Sequence, residues 1–266
     1  MSFNLPTVEA KVEFIRDLPL YQSEKPYYVA GPLDPADEHL RTNARFEKKY
    51  VKFHDLRGHE NMFSLKQHGF EFIVNSDAST GTLHNLTEHN VEAYARDTVQ
   101  LLKGLFGTDH CWCYSYKFRS SADFNRPPGV PTGDRRLPDE PATKAHIDHT
   151  LEGGFRRIRR HLTIPEQKVF VDSKQPHWRL LIVNTWRPLN GPVMDYPLAV
   201  CDPATVSVPN DGFATDRVGP DFQGENYYLK HRDAHKWYWL SNQRVDELLL
   251  FISFDSEGDT ERSCKY

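Results

Sequence analysis

Eighteen prolines in a chain of 266 residues limit how long any single helix or strand can run. Proline lacks a backbone donor and is excluded from helix interiors and from central strands. Since aromatic residues make up 12% of the chain, we expect many short strands and turns around an aromatic-lined interior. Residues 1–45 are predicted to form an irregular N-terminal arm, because they contain Pro6, Pro19, Pro26, Pro32 and Pro35.

Residues 46–143 are predicted to hold strands, one helix and a lid-like loop. Over residues 88–106 the apolar side chains fall on one helical face, and Gly107 is placed to end that helix. The loop Ser120–Glu140 is rich in Pro, Gly, Arg and Asp, and loops of this length are usually functional or disordered. A lid over a site and a merely mobile surface loop are equal alternatives for it. The predicted strands are Tyr50–Leu56, His68–Val74 and Cys111–Phe118.

Residues 144–266 are predicted to form a strand-rich core. A helix over Leu151–Leu162 carries four arginines, Arg156, Arg157, Arg159 and Arg160, which form a solvated face unless one of them meets an anionic substrate group. The predicted strands that follow are Trp178–Trp186, Tyr196–Asp202, Tyr227–Leu229, Lys236–Leu240 and Asp246–Phe254, with the third and fourth forming a hairpin. Successive strands after an α+β first half indicate a sandwich or barrel.

The segment Lys144–Thr150 carries the most specific chemical pattern in the chain. In a strand, residues two apart point to the same face, so His146 and Asp148 would present an imidazole and a carboxylate to one point, with Ile147 in packing. Two of the three ligands of a 2-His-1-carboxylate iron site have this form. Chance alone yields roughly one His-x-Asp in a chain with this histidine content, and His231-Arg-Asp233 is a second.

A His-x-Asp pair on an early strand of a strand-rich core favours one fold class. We expect a mainly β protein with flanking helices (α+β) around a double-stranded β-helix, the jelly-roll core of cupins. The whole chain, residues 1–266, is predicted to be a single domain.

The net charge, the apolar runs and the cysteines indicate which kinds of partner the protein has and in which compartment it acts. The net charge of -4 gives no basic excess, so nucleic acid is not an expected partner. No apolar run approaches membrane-spanning length, and the N-terminus lacks a signal-peptide pattern. The four cysteines form no metal-binding or redox spacing. We expect a cytoplasmic protein that acts on a small molecule, with no membrane partner; a homo-oligomer is compatible with the sequence.

Nine segments, in order along the chain, are similar to the AsaB/CmcJ-like hydroxylase/desaturase family of fungal and bacterial secondary metabolism. The resemblance implies an Fe(II)/2-oxoglutarate-dependent oxygenase, with His146 and Asp148 as catalytic metal ligands. The segments are Glu24–Tyr27, Arg41–Asn43, Asp55–Gly58, Gly69–Phe70, Ala145–His149, Asn184–Pro188, Pro197–Asp202, His235–Trp239, and Asp246–Glu247 with Phe254–Ser256.

The same resemblance places two further family segments after the Asp-Ser of the last strand. One looks like the source of the second metal histidine, and the other of the arginine that pairs with 2-oxoglutarate. The given sequence stops at Tyr266 before either, so these 266 residues are expected to lack the last family strands. Either the sequence is truncated, or it reflects only an ordered part, or the chain ends the fold differently. If the triad closes within these residues, His235 is the first candidate for the third ligand and His231 the second.

Two residues near a predicted strand end are candidates for binding the cofactor. Arg187 could hold a carboxylate with two parallel hydrogen bonds, and Asn184 could line the site. A structural salt bridge is an equally good interpretation of Arg187.

The sequence leaves three hypotheses about function. The first is an oxygenase that uses Fe(II) and 2-oxoglutarate to hydroxylate or desaturate a natural product. The second is a cupin-type metal enzyme without 2-oxoglutarate, such as an isomerase, a lyase or an oxidase. The third is a non-catalytic small-molecule binding protein on the same fold.

Overall fold

A computed structural model describes residues 5–74, 87–122 and 137–258. Most of the predicted lid-like loop lies outside these residues. The strands are β1 (Thr7–Ile15), β2 (Tyr27–Val29), β3 (Phe46–Asp55), β4 (Phe70–Val74), β5 (His146–Ile147), β6 (Leu181–Trp186), β7 (Val200–Cys201), β8 (Gly212–Gly219), β9 (Phe222–Leu229), β10 (Trp237–Trp239) and β11 (Glu247–Asp255). The helices are α1 (Leu65–His68), α2 (Glu88–Phe106), α3 (Leu151–His161), α4 (Ile164–Phe170) and α5 (Val208–Asp211).

The strands form three sheets in the described part of the chain. Their strand orders are β1-β3-β10-β7, β4-β11-β6 and β2-β8-β9-β5. Pairing is antiparallel except between β3 and β10 and between β2 and β8. Neighbouring strands are therefore often far apart in sequence, as expected when a chain winds back and forth between packed sheets.

Strand β11 is buried along its whole length at the centre of its sheet. Its apolar run alternates between two cores. Leu249 and Phe251 join the cluster that also holds Phe63, while Leu248 and Leu250 pack with Leu102 of α2. Because both faces of the strand are covered, its sequence is a continuous apolar run and does not alternate between apolar and polar residues.

Strand β5 is short and is held from both sides. The amide of Ala145 donates to the carbonyl of Glu13 at 2.9 Å, and the amide of Leu229 donates to the carbonyl of Ala145 at 3.0 Å. Ile147 is fully buried in the core with Phe14 and Trp237. Since side chains alternate along a strand, this anchoring turns the neighbouring side chain of His146 to the opposite face.

Helix α3 begins immediately after the His146–Asp148 segment. Thr150 caps it, accepting a hydrogen bond from the amide of Gly153 at 3.0 Å. A Cβ at Gly153 would collide with the backbone carbonyl of Glu225 in β9, and one at Gly154 with the ring of Phe254 in β11. The two glycines therefore allow α3 to lie directly against both strands.

Several predicted elements are confirmed and others are corrected. Helix α2 has the predicted bounds, with Gly107 left-handed at φ 60°, and β4, β11 and α3 coincide closely with predicted elements. Strand β3 starts earlier than the predicted Tyr50–Leu56, and β6 starts later than the predicted Trp178–Trp186. The arm of residues 1–45 is not wholly irregular, because β1 alternates along Thr7–Ile15 and pairs with β3. Cys111–Phe118 is not a strand; its rings pack instead on helices, Trp112 on Phe170 and Tyr114 on His161.

The predicted hairpin of Tyr227–Leu229 with Lys236–Leu240 is also corrected. Tyr227–Leu229 ends the longer strand β9, which pairs with β8 and β5. Strand β10 leaves this sheet and pairs with β3 and β7. The polar segment between them therefore connects two sheets and is not a hairpin turn.

Candidate metal site

His146 and Asp148 face one another at the end of β5. Nε2 of His146 lies 3.5 Å from Oδ1 of Asp148, and the two side chains are 18% and 33% exposed. Nδ1 of His146 lies 2.7 Å from the backbone carbonyl of Lys144. With its proton on Nδ1 the ring donates to that carbonyl, which turns the lone pair of Nε2 towards the carboxylate.

This arrangement fits a bound divalent metal. A lone pair and a carboxylate oxygen that face each other repel unless a cation or a proton lies between them. Two ligand atoms about 2.1 Å from one metal and at right angles lie about 3 Å apart, which is close to the observed separation. His146 and Asp148 were both predicted as ligands, and the structure brings them together.

Asn184, predicted to bind the cofactor, contacts the pair through Asp148. Its Nδ2 donates to Oδ2 of Asp148 at 2.8 Å. Asn184 lies in β6, opposite Phe251 of the buried strand β11, so its backbone is firmly placed. Outer hydrogen bonds of this kind fix the orientation of a ligating carboxylate, and the structure therefore gives Asn184 a positioning contact.

His149 and Tyr114 are both partly buried and within electrostatic reach of Asp148. Burial lowers the pKa of His149 to about 4, although the neighbouring carboxylate of Asp148 opposes the shift. Burial raises the pKa of Tyr114 to about 12. Both side chains are therefore neutral at neutral pH.

His235, the first candidate for the third ligand, is not brought to the pair. Its Nε2 lies 3.2 Å from Oδ2 of Asp211, and its side chain is 1% exposed. Within residues 5–74, 87–122 and 137–258, no three His, Cys, Asp or Glu side chains are grouped so that they could hold a metal. His231, the second candidate, packs edge-on against Phe14. The described residues thus bring together two of the three predicted ligands, and His235 makes a buried contact with Asp211 instead.

Arg187 was the second residue predicted to bind the cofactor. It is 8% exposed, its Nη1 donates to the carbonyl of Val245 at 3.2 Å, and its guanidinium lies over the ring of Tyr94 at 5.5 Å. These contacts tie the end of β6 to α2 and to the segment before β11, so the role is structural, but it is made through a carbonyl and a ring and not through the salt bridge considered for this residue. It does not line the cleft beside Asp148.

A cleft opens beside Asp148. One wall is α3 and the other is the β8–β9 hairpin. Sequence reasoning noted the arginines of α3 but not Arg217, which reaches the cleft from β8. The signal that could have found it is weak, because only the hairpin geometry places Arg217 opposite the helix.

Comparisons with known proteins agree over nearly the whole chain. The family model described as "YDMC: Oxidoreductase/YMDC permease-like domain" matches residues 13–265. The Fe(II)/2-oxoglutarate-dependent dioxygenase nvfI of Aspergillus novofumigatus is 29% identical over 234 residues, which cover 84% of this chain and 76% of that protein. The hydroxylase/desaturase CTB9 of Cercospora beticola is 26% identical, and the match covers 89% of this chain and 78% of that protein.

A solved structure of the iron and alpha-ketoglutarate-dependent endoperoxidase NvfI aligns with this chain with a TM-score of 0.79 and 26% sequence identity. It covers 100% of this chain and 90% of the other. The predicted fold class, mainly β with a jelly-roll core, is confirmed by this likeness. In the described part of the chain, no helix combines the length and apolarity needed to cross a membrane.

Proposed function

We propose that this chain, which belongs to the family described as an oxidoreductase/YMDC permease-like domain, is an Fe(II)/2-oxoglutarate-dependent oxygenase. The resemblance seen in the sequence to oxygenases of fungal secondary metabolism is confirmed by relatives named dioxygenases and hydroxylase/desaturases. The reaction assigned to the chain is hydroxylation or desaturation of a small-molecule natural product.

The geometry of one residue pair carries the proposal. His146 and Asp148 present Nε2 and Oδ1 to each other at 3.5 Å, while the other side of each group is engaged by Lys144 and Asn184 respectively. A pair held in this way is poised to bind a metal from one side. It supplies the imidazole and the carboxylate that a 2-His-1-carboxylate iron site requires.

Each residue of the site has a distinct part in the proposed reaction. His146 and Asp148 would hold the iron, and Asn184 keeps the Asp148 carboxylate in its orientation. When bound, iron and 2-oxoglutarate together supply the oxidant for a C–H bond of the substrate.

Succinate formation tests this function. The purified protein is incubated with Fe(II), oxygen and 2-oxoglutarate, and succinate is measured with and without candidate substrates. We expect formation that needs both iron and oxygen and is lost in His146→Ala and Asp148→Ala. His231→Ala is the matched control, since His231-Arg-Asp233 repeats the sequence pattern away from the site.

The same experiment separates the alternatives. A folded protein that binds iron through His146 but converts no 2-oxoglutarate would be a cupin-type metal enzyme of another reaction class. A protein that retains affinity for a small molecule in both variants, with no metal to lose, would be a binding protein. Either result contradicts the proposed function.

The proposal also includes the expectations from the sequence about substrate class, domain organisation, location and partners. A small-molecule substrate agrees with the family. A single oxygenase domain over residues 1–266 is supported by the span of the family match. We also propose a cytoplasmic location without membrane or nucleic-acid partners, with homo-oligomerisation left to measurement in solution.

A further inference from the structure

We propose that Lys25 and Glu225 form a clamp that holds the turn carrying Asp148, so that both act as positioning residues of the metal site. The inference rests on the proposed function in one respect, since it takes Asp148 as a metal ligand. Lys25 lies in the N-terminal arm, within the segment Glu24–Tyr27, and Glu225 lies in β9. The reaction proposed above gives neither residue a part.

The turn after β5 is an irregularity in the pairing of that strand with β9. Ile147 lies opposite Tyr227, and the amide of Thr150 donates to the carbonyl of Glu225 at 3.1 Å. The two residues Asp148–His149 therefore lie opposite a single residue of β9. An extra residue in one strand forms a β-bulge, and a bulge redirects the side chains that it contains. Both residues of the bulge line the cleft beside α3.

The side chain of Glu225 holds the end of this bulge a second time. One of its carboxylate oxygens accepts a hydrogen bond from the hydroxyl of Thr150, and that hydroxyl accepts one from the amide of Gly153 at 3.0 Å. Thr150 is 3% exposed and the side chain of Glu225 is 10% exposed, so water competes little for these bonds. Glu225 thus fixes the residue at which the bulge passes into α3, two positions after Asp148.

Lys25 offsets the repulsion between Glu225 and a second carboxylate. Asp216 of β8 lies directly opposite Glu225, and like charges in that relation destabilise a sheet. The ammonium group of Lys25 bridges them, donating to Oδ1 of Asp216 at 2.6 Å and to Oε2 of Glu225. Burial alone would raise the pKa of Glu225, but the hydrogen bonds from Lys25 and Thr150 hold it below its usual value. Without Lys25, repulsion would act directly on the carboxylate that holds Thr150.

The clamp links the N-terminal arm to the metal pair in a fixed order. Lys25 fixes the carboxylate of Glu225, which in turn fixes Thr150. Thr150 ends the bulge that contains Asp148. Asn184 orients the carboxylate of Asp148 from β6, whereas the clamp acts on the backbone that carries this side chain. Because the contacts that orient a ligating carboxylate contribute to metal affinity, loss of the clamp should weaken metal binding.

The first test measures the affinity of the protein for Fe(II) by calorimetry without oxygen. We expect Glu225→Ala to lower the affinity about tenfold, the lower end of the effect of outer partners of metal ligands. Lys25 remains paired with Asp216 in this variant. Lys25→Met, at a residue whose side chain is 43% exposed, should give a smaller loss. Lys25→Arg should bind Fe(II) like the wild type, because a guanidinium group can also bridge the two carboxylates.

Two controls separate positioning of the ligand from a general loss of stability. The double variant Lys25→Met/Glu225→Ala should bind Fe(II) like Glu225→Ala alone, because Lys25 acts through Glu225 and the two effects are therefore not additive. Asp17→Asn breaks a different ion pair between the arm and the end of β9, the one that Asp17 forms with Lys230 at 3.0 Å. This variant should bind Fe(II) like the wild type.

The metal-free protein supplies a readout that does not depend on iron. Hydrogen exchange of the Thr150 amide is followed by NMR and compared with that of the Leu229 amide, which lies at the other end of the pairing between β5 and β9. Relative to Leu229, exchange at Thr150 should be faster in Glu225→Ala and in Lys25→Met than in the wild type and in Asp17→Asn. Such a change reports local opening of the bulge and not unfolding of the whole protein.

Two results overturn the inference. One is an Fe(II) affinity that is equal in the wild type, Glu225→Ala and Lys25→Met, whatever the exchange rates. The other is an equal loss of affinity in Lys25→Met and in Asp17→Asn. If the folded wild type binds no Fe(II), the proposed function fails, and exchange at Thr150 alone decides whether Lys25 and Glu225 hold the turn.

Discussion

Asn184 donates a hydrogen bond from Nδ2 to Oδ2 of Asp148 at 2.8 Å across 36 positions of sequence. The bond joins β6 to the turn after β5, two segments that belong to different sheets. The metal pair therefore does not depend on the local His-x-Asp segment alone. Its carboxylate is oriented by a strand that is itself fixed by pairing with the buried β11.

Replacing Asn184 should weaken iron binding without unfolding the protein. We expect Asn184→Ala to lower the affinity for Fe(II) by about 10–100-fold, because loss of such an outer partner frees the ligating carboxylate to rotate. Titration of metal binding measures the effect. Thr185→Ala, one residue along the same strand and on its other face, is the control; equal losses in both variants would contradict a specific role for Asn184.

The contact of α3 with β9 should tolerate no side chain at Gly153. A methyl group there collides with the carbonyl of Glu225, and overpacking of this kind costs about 1–3 kcal/mol. Gly104, in the last turn of α2, has no atom within 4 Å of an added Cβ, so Gly104→Ala should raise the free energy of unfolding by up to about 1 kcal/mol. Urea unfolding compares the two, and a stable Gly153→Ala would contradict the packing described.

The buried His235 should make stability depend on pH. Burial lowers its pKa from 6.5, although the hydrogen bond with Asp211 opposes the shift. A histidine with a depressed pKa stabilises the fold above the unfolded value of 6.5, and this contribution is lost as the pH falls through the folded pKa. As the pH is lowered from about 8 to about 5, the free energy of unfolding should therefore fall more steeply in the wild type than in His235→Gln.

An exposed histidine supplies the control for this pH dependence. His39 lies on the surface, and His39→Gln should leave the slope of stability against pH as in the wild type. Parallel curves for the wild type and His235→Gln would mean that the imidazole of His235 is not held neutral by the fold.

The sequence predicted those elements whose signals are local. The bounds of α2 follow from its amphipathic face and from Gly107, which is left-handed in the structure, and the apolar run of β11 is an equally local signal. The pairing of His146 with Asp148 follows from alternation in an extended segment. Strand β1 was missed because prolines on both sides of it outweighed its own alternation.

Local sequence patterns could not predict contacts between residues that are far apart in the chain. His235 lies in a segment shared with the family, but sequence position could not reveal that it faces Asp211, 24 residues away. Arg57 had no predicted role, yet it binds Glu247 and the carbonyl of Ser241 across 190 and 184 positions. The prediction of a hairpin between β9 and β10 was wrong for the same reason, because β10 pairs with β3, which lies in the first quarter of the chain.

The most direct test of the central claim is spectroscopic. Fe(II) and then 2-oxoglutarate are added to the protein without oxygen, and the visible charge-transfer band of the chelated complex is recorded. We predict a band in the wild type and in His231→Ala, and no band in His146→Ala. A folded wild type that gives no band, or a band that survives in His146→Ala, would contradict the assignment of His146 and Asp148 as the iron ligands of a 2-oxoglutarate-dependent oxygenase.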